Sequence, residues 1–233
     1  MRAARAAWIY FVVLGFFAGA VHIALGIISL YFKDWSRISV QAPSQSSLDP
    51  FLQQPRVRGI WEECATTSAG SLTADCRKIE FPADGKNYLP ENIPFLNLRA
   101  TQPGLIVGSM FVTLVVLFSL MLQFLCSLPI RFSPKPRANQ YACLFGGFAI
   151  WLAGLVHFLS FILYHEQRNQ EAFAVGSDLP MALANWRGMV QFTETFGSMY
   201  AVGWGSCASC FASSWFLLSA AALQKPLKLN LNY

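Results

Sequence analysis

The segment GIWEEC, residues 59–64, lies in the polar part of a mostly apolar chain. Strand-like patterns surround it: WSRISVQ (35–41) and CRKIEF (76–81) alternate, and VRGIWEECATT (57–67) is rich in β-branched and aromatic residues. Turn-rich pieces such as APSQSSLDP (42–50) separate these patterns. They predict a small antiparallel sheet, which with two or three strands is only marginally stable in water.

Four long stretches of the chain are almost free of charged residues. They cover residues 7–32, 104–126, 141–164 and 197–223. Each reaches or exceeds the roughly 20 apolar residues that a helix needs to cross a bilayer. Overall, 55% of the residues are hydrophobic and 12% are charged, against about 25% charged in an average soluble domain. The sequence therefore predicts a single tetraspan domain, residues 1–233, with a four-helix bundle.

The first stretch begins like a secretory signal peptide, with MRAAR before an apolar run. Because the apolar run continues to residue 32, we interpret it as a retained first span. The spans leave two long loops, 33–103 and 165–196, and one short basic loop, 127–140.

Charge placement predicts the orientation of the spans. With both termini in the cytosol, that side holds seven Lys and Arg residues and no acid, while all twelve acids and ten basic residues lie outside. This distribution follows the positive-inside rule. We therefore expect the net charge of +5 to reflect topology, and we expect no nucleic-acid partner.

Two cysteines lie in the first outside loop, Cys64 and Cys76. The other cysteines lie within the predicted spans or on the cytosolic side. The extracellular side is oxidising, so we expect Cys64 and Cys76 to form a disulfide. Such a bond would stabilise the sheet by roughly 3 kcal/mol. Two free thiols or half of a metal site are the alternatives, but no His and no second Cys pair is near in the sequence. Trp61 either covers this bridge or seats the sheet at the headgroup level.

The first outside loop resembles the W–GLW–C–C signature of the claudin superfamily, with Ile in place of the usual Leu. The matching residues are Trp35, Gly59, Ile60, Trp61, Cys64 and Cys76. LRATQPGLIVG (98–108), LFGGFAIWLAGLVHFLSFILY (144–164) and FGSMYAVGWGS (196–206) are similar to the second, third and fourth spans of claudins. Gln102 stands where claudins usually carry an Arg. The resemblance implies a four-helix bundle with a disulfide-stapled extracellular antiparallel sheet.

The resemblance also implies a function, which is to seal or selectively filter the paracellular space. Such a protein lies in the plasma membrane at cell–cell junctions, among membrane lipids. It contacts other copies of itself, or related tetraspans, in the same and the opposing membrane. The alternative within the same superfamily is an auxiliary γ-type subunit that binds an ion-channel pore subunit or receptor and modulates its gating or trafficking.

The superfamily's pore charges and contact residues map onto the two outside loops. The candidate pore-lining or contact charges are Glu62, Glu63, Asp75, Arg77 and Lys78. A solvated sheet face is the alternative for each, and the nearly balanced signs do not predict an ion preference. The candidate partner contacts in the second loop are Phe173, Met181, Trp186 and Met189. These apolar side chains suit a protein contact or packing against the sheet.

Several residues in or near the spans carry recognisable chemistry. Cys126 and Cys143, at the cytosolic ends of spans, are candidates for palmitoylation or are plain buried thiols. The CASC motif (207–210) lies near mid-bilayer with no partner pair, so we expect no metal or redox chemistry from it. We expect His22 and His157 to be neutral and hydrogen-bonded within the bundle. With no nucleophile–base pattern or phosphate loop, we expect neither an enzyme nor a cofactor.

The spans also carry small residues at helix-packing spacing, which let helix backbones approach closely. These residues are Gly15, Gly19, Gly147, Ala153, Gly154, Gly205, Ser209 and Ser213. Packing within the bundle is the first interpretation, and a dimerisation face is the second.

Overall fold

A computed structural model describes residues 2–41, 54–66, 72–78, 101–127, 136–177 and 191–223. Its helices are α1 (Arg2–Tyr31), α2 (Thr101–Ser127), α3 (Pro136–Ser177) and α4 (Ser198–Leu223). Its strands are β1 (Ser36–Gln41), β2 (Arg56–Arg58), β3 (Glu62–Thr66), β4 (Leu72–Lys78) and β5 (Gln191–Phe196).

Each of the four helices contains a stretch long and apolar enough to cross a membrane. Within the described residues these stretches are Ala6–Tyr31, Thr101–Leu125, Ala138–His165 and Ser198–Leu223. Each overlaps one of the stretches predicted from the sequence. The chain is therefore a multi-pass membrane protein, and its described part contains four helices that can span the membrane.

The five strands form one antiparallel sheet, in the order β4-β3-β2-β1-β5. The predicted strand around GIWEEC is in fact a hairpin, because β2 and β3 pair on either side of residues 59–61. The alternating WSRISVQ pattern forms β1, whose Ser36 and Ile38 are buried while Arg37 and Ser39 are exposed. The three strand patterns of the first loop thus supply four strands.

The second long loop, residues 165–196, contributes structure that the sequence analysis did not predict. Helix α3 continues past its spanning stretch to Ser177 through a segment rich in Glu, Gln and Ala, which are good helix formers. Strand β5 then pairs with β1 along its whole length, from Ser36 opposite Phe196 to Gln41 opposite Gln191. Residues from both long loops therefore build the same sheet.

The chain divides into two compact units. The bundle unit comprises Met1–Ala24, Gly108–His157 and Ser206–Tyr233. The sheet unit comprises Leu25–Val107 and Phe158–Gly205.

Close helix packing in the bundle unit depends on glycine. A Cβ atom at Gly19 would lie 2.6 Å from a Leu117 methyl group, and one at Gly147 would lie 2.9 Å from Leu218. These distances are shorter than real carbon contacts, so no larger residue fits without movement of its neighbours. The small residues at these positions therefore pack within the bundle, as the first interpretation predicted.

Serine hydroxyl groups add hydrogen bonds between the same helices. Ser213 donates to the carbonyl of Gly15 at 2.7 Å, and Ser214 donates to the carbonyl of Gly147 at 2.8 Å. An apolar cluster fills the space beside them. Its buried members are Leu117, Leu120, Ile150, Ala153, Cys210 and Leu217.

Candidate functional site

The most structured part of the sheet unit is built around Trp35. This side chain has no exposed surface, and its ring lies 5.9 Å from Phe161 and 5.3 Å from Tyr164. Its indole N–H donates to the backbone carbonyl of Ser29 at 2.5 Å. A buried indole with its N–H bonded contributes apolar packing without a desolvation penalty. Trp35 thus anchors the start of β1 on the helices of the sheet unit.

The hairpin that carries GIWEEC requires a glycine. The Gly59 N–H donates to the carbonyl of Glu62 at 2.8 Å, and a Cβ atom at Gly59 would lie 3.0 Å from the Lys33 Cα. Ile60 is buried, whereas Trp61 is 46% exposed. Ile60 therefore faces inward, and Trp61 is half-exposed.

Cys64 and Cys76 form a disulfide across β3 and β4, where they occupy directly opposed positions. The Lys33 ammonium group lies beside this bond, with its Nζ 3.5 Å from the Cys64 sulfur and 3.7 Å from the Cys76 sulfur. The same Nζ makes a 2.5 Å ion pair with Glu62. A lysine two residues after α1 therefore lies against the disulfide that joins β3 to β4.

The candidate charges lie on β3 and β4, which are paired strands at one edge of the sheet. In their register Glu62 is opposite Lys78, and Glu63 is opposite Arg77. Acids thus stand opposite bases. Glu62 is bound by Lys33, so part of its charge is compensated within the chain. The structure describes only the backbone at the other four candidates, and the positions of their side chains lie outside the described part.

A second ionic contact joins the segment after α1 to the start of α4. Asp34 accepts hydrogen bonds from the Ser198 backbone N–H at 2.9 Å and from the Ser198 hydroxyl group. Arg37 donates two hydrogen bonds to the same carboxylate, at 2.7 and 2.8 Å. The Arg37 contact, followed by the Ser198 hydrogen bonds, lowers the pKa of Asp34 to about 2 against the opposing effect of partial burial. Asp34 therefore caps the N-terminus of α4 as an anion.

These contacts of Asp34 with Ser198 and Arg37, the Asp34 clamp, also require a glycine. Gly197 donates its N–H to the carbonyl of Trp35 at 2.8 Å, and a Cβ atom there would collide with the Asp34 carbonyl oxygen. The sequence analysis missed this contact because Asp34 and Ser198 are 164 residues apart. The available signal was a Ser followed by an apolar run, which is typical of a helix start.

The remaining predicted residues have different outcomes. Met181, Trp186 and Met189 lie outside the described residues, and for Phe173 and Cys126 the structure describes only the helical backbone. Cys143 is a buried free thiol within the bundle unit. Gln102, which stands where claudins carry an Arg, is also buried.

Four polar residues, one from each helix, meet inside the bundle unit. His22 of α1 and His157 of α3 are fully buried, with ring centroids 5.3 Å apart. The Nδ1 of His22 bonds Ser206 of α4, and the Nδ1 of His157 lies 3.1 Å from the Ser109 hydroxyl group of α2. Both histidines are hydrogen-bonded in the bundle, as the sequence analysis expected.

The CASC thiols are hydrogen-bonded to a neighbouring helix. Cys207 donates to the carbonyl of Gly154 at 3.9 Å, and Cys210 donates to the carbonyl of Ile150 at 3.4 Å. Both carbonyls belong to α3. The two thiols therefore contribute to helix packing.

One group of three potential metal ligands stands out in the described part of the chain. The ligand atoms of Glu62, Cys64 and Cys76 lie within 4.8 Å of one another. Because the two sulfurs are joined in a disulfide, neither is a thiolate that can bind a metal ion. The three residues therefore do not form a metal site, and the two cysteines have a structural role as the disulfide that joins β3 to β4.

No protein-family model matches this chain, and no curated protein matches it.

Proposed function

We propose that the protein is a claudin-like cell-junction protein whose extracellular sheet makes lateral and cell-to-cell contacts. These contacts would seal or selectively filter the space between cells. The observation that supports the proposal best is the arrangement of the W–GIW–C–C residues. Trp35 anchors the sheet, Gly59 and Ile60 form its hairpin, and the two cysteines staple β3 to β4.

The construction of the sheet suits a contact surface. A sheet that lines a narrow space must keep its side chains in place, and short sheets do not do so alone in water. Here the disulfide, the buried Trp35 and the strand β5 from the second loop hold five strands together. A rigid element of this kind positions polar side chains more accurately than a loop does.

The charges of the sheet edge provide the proposed filter. Glu62 is bound to Lys33, so we assign it a structural role within the sheet. Glu63, Asp75, Arg77 and Lys78 are then the proposed pore-lining charges. Charges that line a narrow passage select ions by sign and respond to reversal of that sign.

The proposal is tested in epithelial cells that lack junction strands. Expression of the tagged protein should produce strands at cell contacts in freeze-fracture images and should change the transepithelial resistance. Asp75→Lys and Glu63→Lys should then shift the relative permeability of Na⁺ and Cl⁻ toward Cl⁻. Glu63→Gln and Glu62→Gln form a matched pair on strand β3: Glu63→Gln should shift the permeability in the same direction, and Glu62→Gln should shift it less.

A protein that spreads evenly over the surface and forms no strands would contradict the junction proposal. In that case, co-purification of a pore-forming channel subunit would support the auxiliary-subunit alternative.

A further inference from the structure

The two cysteines of the Cys64–Cys76 disulfide differ in their access to solvent. Cys64 has no exposed surface, whereas Cys76 is exposed. A disulfide is broken when a thiolate attacks one of its two sulfurs, and access to that sulfur is one of the factors that set the rate. Cys76 is therefore the residue of the pair that a dissolved thiol can reach.

Attack at Cys76 makes the Cys64 sulfur the leaving group. It leaves as a thiolate, so the reaction is faster where the surroundings stabilise that negative charge. The Lys33 Nζ lies 3.5 Å from the Cys64 sulfur and 3.7 Å from the Cys76 sulfur. A neighbouring lysine stabilises a thiolate electrostatically. Lys33 thus lies against the atom on which the charge forms.

Glu62 has the opposite effect on the same bond. Its carboxylate makes a 2.5 Å ion pair with the Lys33 Nζ, and a carboxylate oxygen lies within 4.8 Å of both sulfurs. A negative charge at this distance disfavours the approach of one thiolate and the formation of another. Lys33 and Glu62 therefore influence an exchange reaction at the disulfide with opposite signs.

The position of the disulfide in the sheet makes its opening reversible. Among the described strands, β4 pairs with β3 and lies at the edge of the sheet. Cys64 and Cys76 are directly opposite each other in this pair. Backbone pairing of the two strands keeps the two thiols close together after reduction, so the bond can form again on oxidation.

We propose that the Cys64–Cys76 disulfide is a reversible thiol-exchange site, at which a small thiol forms a mixed disulfide with Cys76 while Lys33 stabilises the departing Cys64 thiolate. The incoming thiolate bonds to the Cys76 sulfur, the bond between the two cysteine sulfurs breaks, and its electron pair stays on the Cys64 sulfur. A second thiolate then attacks the small thiol's own sulfur in this adduct and releases Cys76 as a thiolate.

The two small thiols leave joined as a disulfide, so they supply the two electrons that reduce the bridge, and both cysteine thiolates take protons from water. This chemistry belongs to the bridge itself, and the inference is independent of the proposed junction function.

The first test identifies the attacked sulfur in the wild type. The full chain in lipid nanodiscs is treated with β-mercaptoethanol, a neutral small thiol, and quenched at early times with iodoacetamide, which alkylates free thiolates. Proteolytic cleavage before Asp75 separates the two cysteines for mass spectrometry. The proposal predicts the mercaptoethanol adduct on Cys76 and the alkyl group on Cys64. The reverse assignment, or equal amounts of the two, would overturn it.

The second test measures the rate of exchange in variants of the ion pair. Lys33→Met should slow the exchange about fivefold to tenfold, and Lys33→Arg, which keeps the charge, should restore most of the rate. Glu62→Gln should accelerate the exchange about threefold, because it removes the negative charge near the sulfurs.

Lys33→Met and Glu62→Gln break the same ion pair, which separates an electrostatic role of Lys33 from a structural one. A structural role would accelerate the exchange in both variants by loosening the sheet, whereas the proposal predicts changes in opposite directions. Changes in the same direction, or an unchanged rate in Lys33→Met, would overturn the proposal. The first test needs no variant, so it decides the outcome even if Lys33→Met does not fold.

Discussion

The bundle unit and the sheet unit use opposite means to fix their structure. In the bundle unit, glycines without a side chain stand where helices meet, as at Gly19 and Gly147, and serine hydroxyls donate to buried backbone carbonyls of the neighbouring helix. In the sheet unit, the fixed points are a buried indole, a disulfide and a carboxylate that caps the N-terminus of α4.

The difference follows from the two surroundings. Lipid offers no hydrophobic driving force between helices, so close van der Waals contact and hydrogen bonds hold the bundle. Water competes for the hydrogen bonds of a small sheet, so the sheet unit needs apolar burial and a covalent constraint. Four substitutions test this contrast, from the largest expected effect to the smallest.

The first is Trp35→Ala in the sheet unit. Removing a fully buried indole that packs on Phe161 and Tyr164 should cost about 3–5 kcal/mol of opening free energy in the sheet. Amide hydrogen exchange of β1 to β4 measures this energy directly. Trp61→Ala, at a position 46% exposed, is the control and should cost about 1 kcal/mol or less. Equal losses in the two variants would show that Trp35 is not the anchor.

The second is Cys64→Ser combined with Cys76→Ser. Loss of the bridge between residues separated by 12 positions should destabilise the sheet by about 3 kcal/mol, seen as faster proteolysis of the first outside loop. Treatment of the wild type with a reducing agent should cause the same faster proteolysis. Cys207→Ser, a buried free thiol of the bundle unit, should leave the response to reductant unchanged. A sheet that resists protease equally well without its bridge would contradict the account.

The third compares two helical glycines of the bundle unit. A Cβ atom at Gly147 meets Leu218 at 2.9 Å, whereas one at Gly108 meets nothing within 4 Å. Gly147→Ala should therefore destabilise the bundle by about 1–2 kcal/mol. Gly108→Ala should be neutral, or stabilising by up to about 1 kcal/mol through its better helix propensity. Thermal unfolding in nanodiscs measures both, and equal effects would refute the packing argument.

The fourth concerns the pH dependence of the Asp34 clamp. Because its folded pKa is lowered from 3.8 to about 2, Asp34 stabilises the folded state fully above its unfolded value and loses that contribution as the pH falls toward 2. Asp34→Asn keeps an acceptor oxygen for the Ser198 N–H but removes the charge that faces Arg37 and the helix N-terminus, so it should cost about 1 kcal/mol at neutral pH. The difference in melting temperature between wild type and variant should shrink between pH 5 and pH 2. A difference in melting temperature that does not change with pH would show that the charge of Asp34 does not stabilise the folded state.

The parts of the fold that depend on local composition were predictable from the sequence. The four apolar stretches identify the spans, and the strand patterns around Cys64 and Cys76 identify the stapled sheet. The parts that depend on long-range register were not. Strand β5 pairs with β1 from the other outside loop, and no local pattern specifies that partner.

The candidate sites divide in the same way. The W–GIW–C–C residues are recognisable as a motif because Trp, Gly and Cys are distinctive residue types that occur here in a characteristic order. The partners of Glu62 and Asp34 were not recognisable, since Lys33 and Ser198 are ordinary residues until the fold brings them together. The contact between His22 and His157 depends on how their two helices are rotated about their axes. Helices that are hydrophobic on all faces have no amphipathic pattern from which that rotation could be predicted.

The central claim is that the sheet makes contacts between cells, and a mixed-cell experiment tests it most directly. Cells that express the protein with a red or a green tag are grown together with cells that lack it. The account predicts enrichment of both colours at borders between two expressing cells and none at borders with cells that lack the protein, with Trp35→Ala abolishing the enrichment. Equal distribution along all borders would contradict it.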